Sequence, residues 1–308
     1  MECLLCKNKD TNTISSIRVD DLNKLYLKTL NIDVSSEFRD NVIHFQHCPL
    51  CDLRFFYPLS PGSDEFYQQL QNFDWYYLSE KQEYEIAKKF VKSNDQVLDV
   101  GAGSGAFQKL IPHAQFTGLE LNTKAIADGQ KNGIVMLNET VQEHSQKKAG
   151  YYDVVTAFQV LEHIPQINDF VDSCIKCLKP NGLLIFSVPG NDGFVADVYN
   201  MGMNMPPHHI SRWSDEALKN IGKVFDLNPI HLEHDSLATH HHFMYSTTEY
   251  EKFFYSDLSM SRRKKLIDNS LSGFLINKLA KLLSYIHKKG VSKHQVFGHS
   301  VTIVLKKP

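Results

Sequence analysis

VLDVGAGSGAF, Val97–Phe107, is the stretch whose reading decides the fold. An apolar strand runs directly into Gly101, Gly103 and Gly105, and the pattern predicts a helix over about 104–111. Glycines at such a junction let the backbone turn sharply and approach a ligand closely, because no Cβ stands in the way. The glycines alone leave the ligand open, since Gly101, Gly103 and Ala106 also satisfy the dinucleotide pattern G-x-G-x-x-G/A. Asp99 separates the readings. A carboxylate two residues before the first glycine is unfavourable beside a pyrophosphate and favourable beside a sulfonium and an α-amino group. Outward from this loop, strands are predicted at 96–100, 115–120, 133–137, 152–158 and 182–188, with helices at about 123–132 and 167–178. A further strand falls within 223–234, the segment 246–289 reads as mainly helical, and GHSVTIVLKK (298–307) reads as a last strand. Alternation of this kind implies βαβ units, a mostly parallel sheet and an α/β doubly wound fold.

The chain of 308 residues, 42% of them hydrophobic, is long enough for one large domain with an attachment or for two modest ones. Its 33 Lys and Arg against 35 Asp and Glu leave no basic excess for tracking phosphates, which argues against a nucleic-acid partner. MECLLCKNKD at the N-terminus has no apolar h-region, and no run of about 18 apolar residues spans a membrane. A cytoplasmic location is the expectation. Pro58, Pro61 and Gly62 mark a boundary, so the chain divides into an N-terminal module (1–60), a helical lead-in (61–95) and the α/β domain (96–308) with a helical insertion at 246–289. Trp75, Tyr76 and Tyr77 in the lead-in could close over a cofactor or pack the N-terminal module on the sheet.

Glu120 stands 19 residues after Gly101 at the end of the second strand, in FTGLELN. An acid there can accept both hydroxyls of a ribose, a need shared by NAD and S-adenosylmethionine. With VLDVGAGSG and GLEL, YYDVVTAFQVLEHI (151–164) and LKPNGLLIFSVP (178–189) complete a set that resembles the class I S-adenosylmethionine-dependent methyltransferases over about 96–235, with the last strand at 298–307. The resemblance implies a seven-stranded Rossmann-like sheet of order 3-2-1-4-5-7-6, strand seven antiparallel, and S-adenosylmethionine as cofactor. It places Asp99, Gly101, Ala102 and Gly103 at the methionine end and Glu120 and Leu121 at the ribose. Val141 and Gln142 fall at the adenine, without the usual acidic partner, and Phe158 falls where strand four faces the cofactor.

The six cysteines form three C-x-x-C pairs. Cys3/Cys6 and Cys48/Cys51 are separated by 41 residues and can supply four thiolates to one structural zinc ion, with an insertion looping out between the knuckles. His44 or His47 could replace one ligand. A small polar segment would struggle to hold itself together without a metal. The third pair, Cys174 and Cys177, sits on a predicted helix and is assigned to the core. The resemblance extends to methyltransferases that act on sugars and carry such an N-terminal zinc module.

Methyl transfer needs an aligned nucleophile and, for a hydroxyl, a proton acceptor. Histidine suits that role near neutral pH. His163 in VLEHI follows strand four, and His208 and His209 in PPHHISRW follow strand five, so both groups reach the carboxyl edge of the sheet. The run His240–His242 is a weaker candidate, read as alternating along a strand. No acidic cluster builds a Mg²⁺ site. In FLINKLAKLLSYIHKK (274–289), Leu275, Leu279, Leu282, Leu283 and Ile286 form one stripe opposite Asn277, Lys281, Ser284 and Lys288, with Arg262–Lys265 upstream. Such a helix is expected to dock its apolar stripe on its own domain; peripheral membrane contact is the alternative. The sequence is therefore expected to encode a methyltransferase acting on a sugar hydroxyl of a glycan or nucleotide-sugar. An RNA methyltransferase, a sugar C-methyltransferase and a non-catalytic cofactor-binding module stay open.

Overall fold

The computed structural model describes residues 1–73, 81–256, 266–286 and 296–308. Trp75, Tyr76, Tyr77, Arg262–Lys265 and Lys288 lie outside the described residues. The chain begins with β1 (Asn12–Arg18), α1 (Val19–Leu30), β2 (Val42–His47), β3 (Arg54–Tyr57), α2 (Asp64–Leu70) and α3 (Gln82–Ala87). Next come β4 (Gln96–Val100), β5 (Gln115–Leu119), α4 (Thr123–Lys131), β6 (Met136–Leu137), α5 (Val141–Lys147), β7 (Tyr152–Phe158), α6 (Ile167–Cys177) and β8 (Leu178–Pro189). β9 (Ser211–Arg212), α7 (Asp215–Phe225), β10 (Asn228–Ser236), α8 (His242–Ser256), α9 (Leu271–Ile286) and β11 (Phe297–Lys306) complete the order.

The large sheet runs β6-β5-β4-β7-β8-β11-β10. Its first five strands are parallel, and β11 is antiparallel to both β8 and β10. In order of appearance along the chain, this is the expected 3-2-1-4-5-7-6 arrangement of a Rossmann-like methyltransferase fold. β4, β7 and the second half of β8 (184–189) are buried almost throughout, as strands covered on both faces must be. α6 covers one face with Ile167, Phe170, Val171, Cys174 and Cys177, so the third cysteine pair does lie in the core. Two local expectations are corrected. The helix after the glycine loop is only a 3-10 turn, 106–110, and the strand at 133–137 pairs only over Met136–Leu137. Ile134 instead turns inward, where a Cβ on Gly105 would meet its Cδ1 at 2.8 Å.

The first 60 residues are more than a polar segment clasped by cysteines. β1, β2 and β3 form an antiparallel sheet, and α1 packs Leu22, Leu25 and Tyr26 with Ile17, Ile43, Phe45 and Phe56 in a separate apolar cluster. The fourth strand of that sheet comes from far along the chain, because β9 pairs with β3. Arg212 on β9 lies over the stacked rings of Phe45 and Phe56 at 5.1 and 5.6 Å, and its guanidinium bonds the Asn204 carbonyl. The module and the large sheet are thus laced together through residues 204–212.

Candidate active site

The glycine loop is built by conformations that favour glycine. Gly101, Gly103 and Gly105 all have positive φ, at 73°, 55° and 79°. A Cβ on Gly101 would stand 2.5 Å from Val160 Cγ2, on the loop after β7. The amides of Gly101 and Ala102 both donate to the Leu119 carbonyl, which ties the loop to the end of β5. Glu120 then closes it from the other side: its carboxylate accepts from the amides of Gly103 (2.9 Å), Leu121 (2.8 Å) and Asn122 (2.9 Å). Asn122 in turn caps α4 through the Ala125 amide. A carboxylate held by three N–H groups is fixed in place, with lone pairs left for hydroxyl donors.

This loop opens onto one cleft at the carboxyl edge of the sheet. Gly101, Ala102, Gly103, Glu120, Leu121, Val141, Gln142 and Phe158 line it, and so do His163, His208 and His209. Asp99 does not. Its carboxyl is buried beneath the loop, where the Thr156 hydroxyl donates to it at 2.8 Å and burial pushes its pKa up to about 7. Val141 is buried at the start of α5, whose N-terminus carries a reciprocal cap between Thr140 and Glu143. The acid beside this position, Glu139, is engaged by His144 and Lys147. Phe158 packs edge-on against Tyr84 at 4.8 Å and Phe107 at 5.0 Å, forming an aromatic floor.

At the other end of the cleft, three imidazoles meet. The ring centroids of His163 lie 4.6 Å from His208 and 4.8 Å from His209. Each ring has its Nδ1 beside an oxygen: His163 beside the His208 carbonyl (2.6 Å), His208 beside the Met203 carbonyl (2.9 Å) and His209 beside Asn204 Oδ1 (3.2 Å). These partners accept, so Nδ1 carries the proton and Nε2 keeps its lone pair. Burial holds His163 down at about 4, and it holds His208 and His209 well below the ordinary imidazole value. All three imidazoles are therefore neutral near pH 7.

Residue-by-residue reading missed the group they surround. Glu162, one residue before His163, is 1% exposed, and among the described residues neither carboxyl oxygen has a hydrogen-bond partner. Its Oε1 lies 3.9 Å from Nε2 of both His163 and His209. Burial pushes its pKa up to about 8. Tyr67 from α2 adds a hydroxyl 3.2 Å from His163 Nδ1. Glu83 and Asp235 also line the cleft, and burial first, then Glu83, pushes Asp235 up to about 8. The His240–His242 run does not alternate on a strand. It forms a 3-10 turn at 239–241 and the first residue of α8, and His240 and His241 reach the cleft rim.

The four N-terminal cysteines come together, with Sγ of Cys3 and Cys51 3.5 Å apart and Sγ of Cys6 and Cys48 also 3.5 Å apart. A tetrahedral zinc with Zn–S of about 2.3 Å requires sulfurs about 3.8 Å apart, so the donor set fits that metal. Both knuckles turn alike: the amides of Lys7 and Asp52 donate to the carbonyls of Cys3 and Cys48, with φ of 61° and 60°. His44 bonds Ser16 and His47 bonds Asp52, so neither histidine joins the sulfurs.

Residues 68–232, more than half of the chain, match the family described as "Methyltransferase domain". The ubiquinone biosynthesis O-methyltransferase of Cronobacter sakazakii is 37% identical over 100 residues, covering 30% of this chain and 41% of that protein. Its Escherichia coli counterpart is 36% identical over 106 residues, 32% of this chain and 44% of that one. The match thus spans less than half the length of these relatives. A solved S-adenosylmethionine-dependent methyltransferase from Archaeoglobus fulgidus is similar at a TM-score of 0.47 and 16% identity, over 73% of this chain and 94% of that one. A putative methyltransferase from Bacillus halodurans is similar at 0.48 and 15%, over 74% and 100%. With the profile match, the strand order and the glycine loop in agreement, the chain belongs to the class I S-adenosylmethionine-dependent methyltransferases.

Proposed function

We propose that this protein methylates a hydroxyl oxygen of a small or glycan acceptor, and that Glu162 with His163 and His209 receives the hydroxyl proton. The observation that carries this reading is the buried carboxyl of Glu162, without a hydrogen-bond partner among the described residues and equidistant from two imidazole Nε2 atoms, in the same cleft as the glycine loop. A buried polar group left without a partner costs free energy, and an acceptor hydroxyl is the kind of group that would satisfy it. The cradle at Gly101 and Gly103 and the Glu120 carboxylate would hold S-adenosylmethionine, whose sulfonium supplies an already activated methyl. Val141 and Gln142 would flank its adenine, with Phe158 beneath it. The chain's remaining tasks are to orient the acceptor, keep water out and hold the released proton. The neutral imidazoles of His163 and His209, with the proton on Nδ1, suit the last task. His208, whose Nδ1 faces the Met203 carbonyl, would act as a neighbouring base or a support.

A sugar hydroxyl is the acceptor class that the sequence resemblance implies, and the names of the curated relatives favour oxygen as the methylated atom. Cys3, Cys6, Cys48 and Cys51 would hold one structural zinc that joins the ends of residues 1–60 and stiffens the wall bearing β9. The lead-in, 61–95, would supply Tyr67 and Glu83 to the cleft, and 96–308 the transferase fold. Labelled S-adenosylmethionine incubated with panels of nucleotide-sugars, glycans and phenols, with products read by mass spectrometry, tests the acceptor. With the responding acceptor, alanine at His163 or His209 should lower kcat by about 10²–10⁴-fold. Near-normal kcat in both would remove the histidines from the reaction. Label appearing on carbon would replace O-methylation with C-methylation.

A further inference from the structure

The insertion between β10 and β11 is built inside out. On α9, the residues turned into the protein are Gly273, Ala280 and Ser284, with Asn277 half-buried, at the i, i+4, i+7, i+11 spacing of one helical face. They pack on an equally polar face of α8. Asn277 Nδ2 donates to Glu251 Oε1 at 2.6 Å, and the hydroxyls of Thr247 and Ser284 meet at 3.3 Å. Small residues keep this face close-packed, and a Cβ on Gly273 would fall 2.5 Å from Asp268 Cγ on the turn before α9. The expected docking of the leucine stripe on the domain is therefore reversed. Leu271, Phe274, Leu275, Leu279, Leu282, Tyr285 and Ile286 face outward, from 44% exposed at Leu279 to 80% at Tyr285. A helix whose polar side is satisfied inside and whose apolar side is bare is made to cover something else.

We infer that the outward face of α9 seats on an anionic phospholipid surface. Charge favours this occupant over a second copy of the chain. α9 has no acid and carries Lys278 and Lys281, both exposed, and Lys28 of α1 reaches within 5.8 Å of the Phe274 ring. From 262 to 295 the sequence holds nine basic residues against the single acid Asp268, which is buried. Two such faces would repel one another, whereas a layer of anionic headgroups complements both the leucines and the lysines. Among the described residues no helix is long and apolar enough to cross a membrane, so contact would be lateral.

Flotation of the full chain with vesicles tests this. The protein should float with phosphatidylglycerol–phosphatidylcholine vesicles, much less with phosphatidylcholine alone, and less as salt rises. Leu275→Ser/Leu279→Ser/Leu282→Ser should weaken binding at least about tenfold while keeping its circular dichroism, because all three side chains are already exposed. Lys278→Glu and Lys281→Glu should each cost about fivefold. Wild-type protein that stays at the bottom of the gradient overturns the inference, and so does equal binding to phosphatidylcholine alone. A wild-type dimer that the triple serine variant converts to a monomer, without vesicle binding, would overturn it in favour of a second copy.

Discussion

Replacing Glu162 with glutamine removes a charge that the fold resists without changing the shape of the side chain. The carboxyl is buried and lacks a hydrogen-bond partner among the described residues, and burial pushes its pKa up to about 8 from an ordinary 4.5. A group whose folded pKa lies above its unfolded value contributes stability that is full below the unfolded value and lost as pH rises through the folded one. Wild-type stability should therefore decline from near pH 4.5 to above pH 8, by a ceiling of about 5 kcal/mol at 1.36 kcal/mol per pKa unit. Relaxation around a buried carboxyl and water reaching it lower such a ceiling, so about 2 kcal/mol is a fair lower expectation. The glutamine variant carries no proton to lose at this position and should escape the decline. Urea unfolding of both proteins at pH 5, 7 and 9, compared through midpoints at constant slope, isolates the difference. A stability difference that stays flat from pH 5 to 9 would refute the reasoning, because Glu162 would then ionise in the fold as easily as in water.

Gly101→Ala should cost about 1–3 kcal/mol in the same unfolding assay, since φ is 73° and the new Cβ would meet Val160 at 2.5 Å. Adding Val160→Ala should recover only part of that, because it relieves the contact and leaves the dihedral. Elemental analysis should give one zinc per chain, lost in Cys48→Ser/Cys51→Ser and retained in Cys174→Ala/Cys177→Ala. Zinc that disappears with the second pair would contradict the assignment of the cysteines.

The large sheet was legible because its central strands are buried on both sides and so read as short apolar runs, and because glycines mark the turn after β4. The glycine-loop end of the cleft was legible for the same local reason: Gly101, Gly103 and Glu120 are placed by φ and by strand ends. Asp99 was misplaced because a pattern along the chain does not say whether a strand-end acid points into the cleft or under it. Thr156, far away in sequence, settles that. Glu162 was overlooked because beside His163 it looks like any acid on a loop, and its burial depends on the segment carrying His208 and His209 folding back over it. β9 was invisible for a related reason, since two residues gain strand character only from Arg54 and Phe55 across the sheet. In α9 the amphipathic period was right and its orientation was not, because the period is the same whichever face turns inward.

Calorimetric titration with S-adenosylhomocysteine tests the central claim most directly, that the Gly101–Glu120 end of the cleft holds this cofactor. Wild-type protein should bind it and show no measurable affinity for NAD. Glu120→Ala should weaken binding by about 1.5–3 kcal/mol, the scale of hydrogen bonds to a charged group, since it removes the carboxylate and releases the amides of Gly103, Leu121 and Asn122. NAD binding in place of S-adenosylhomocysteine, or an affinity for the latter unchanged by Glu120→Ala, would contradict the claim.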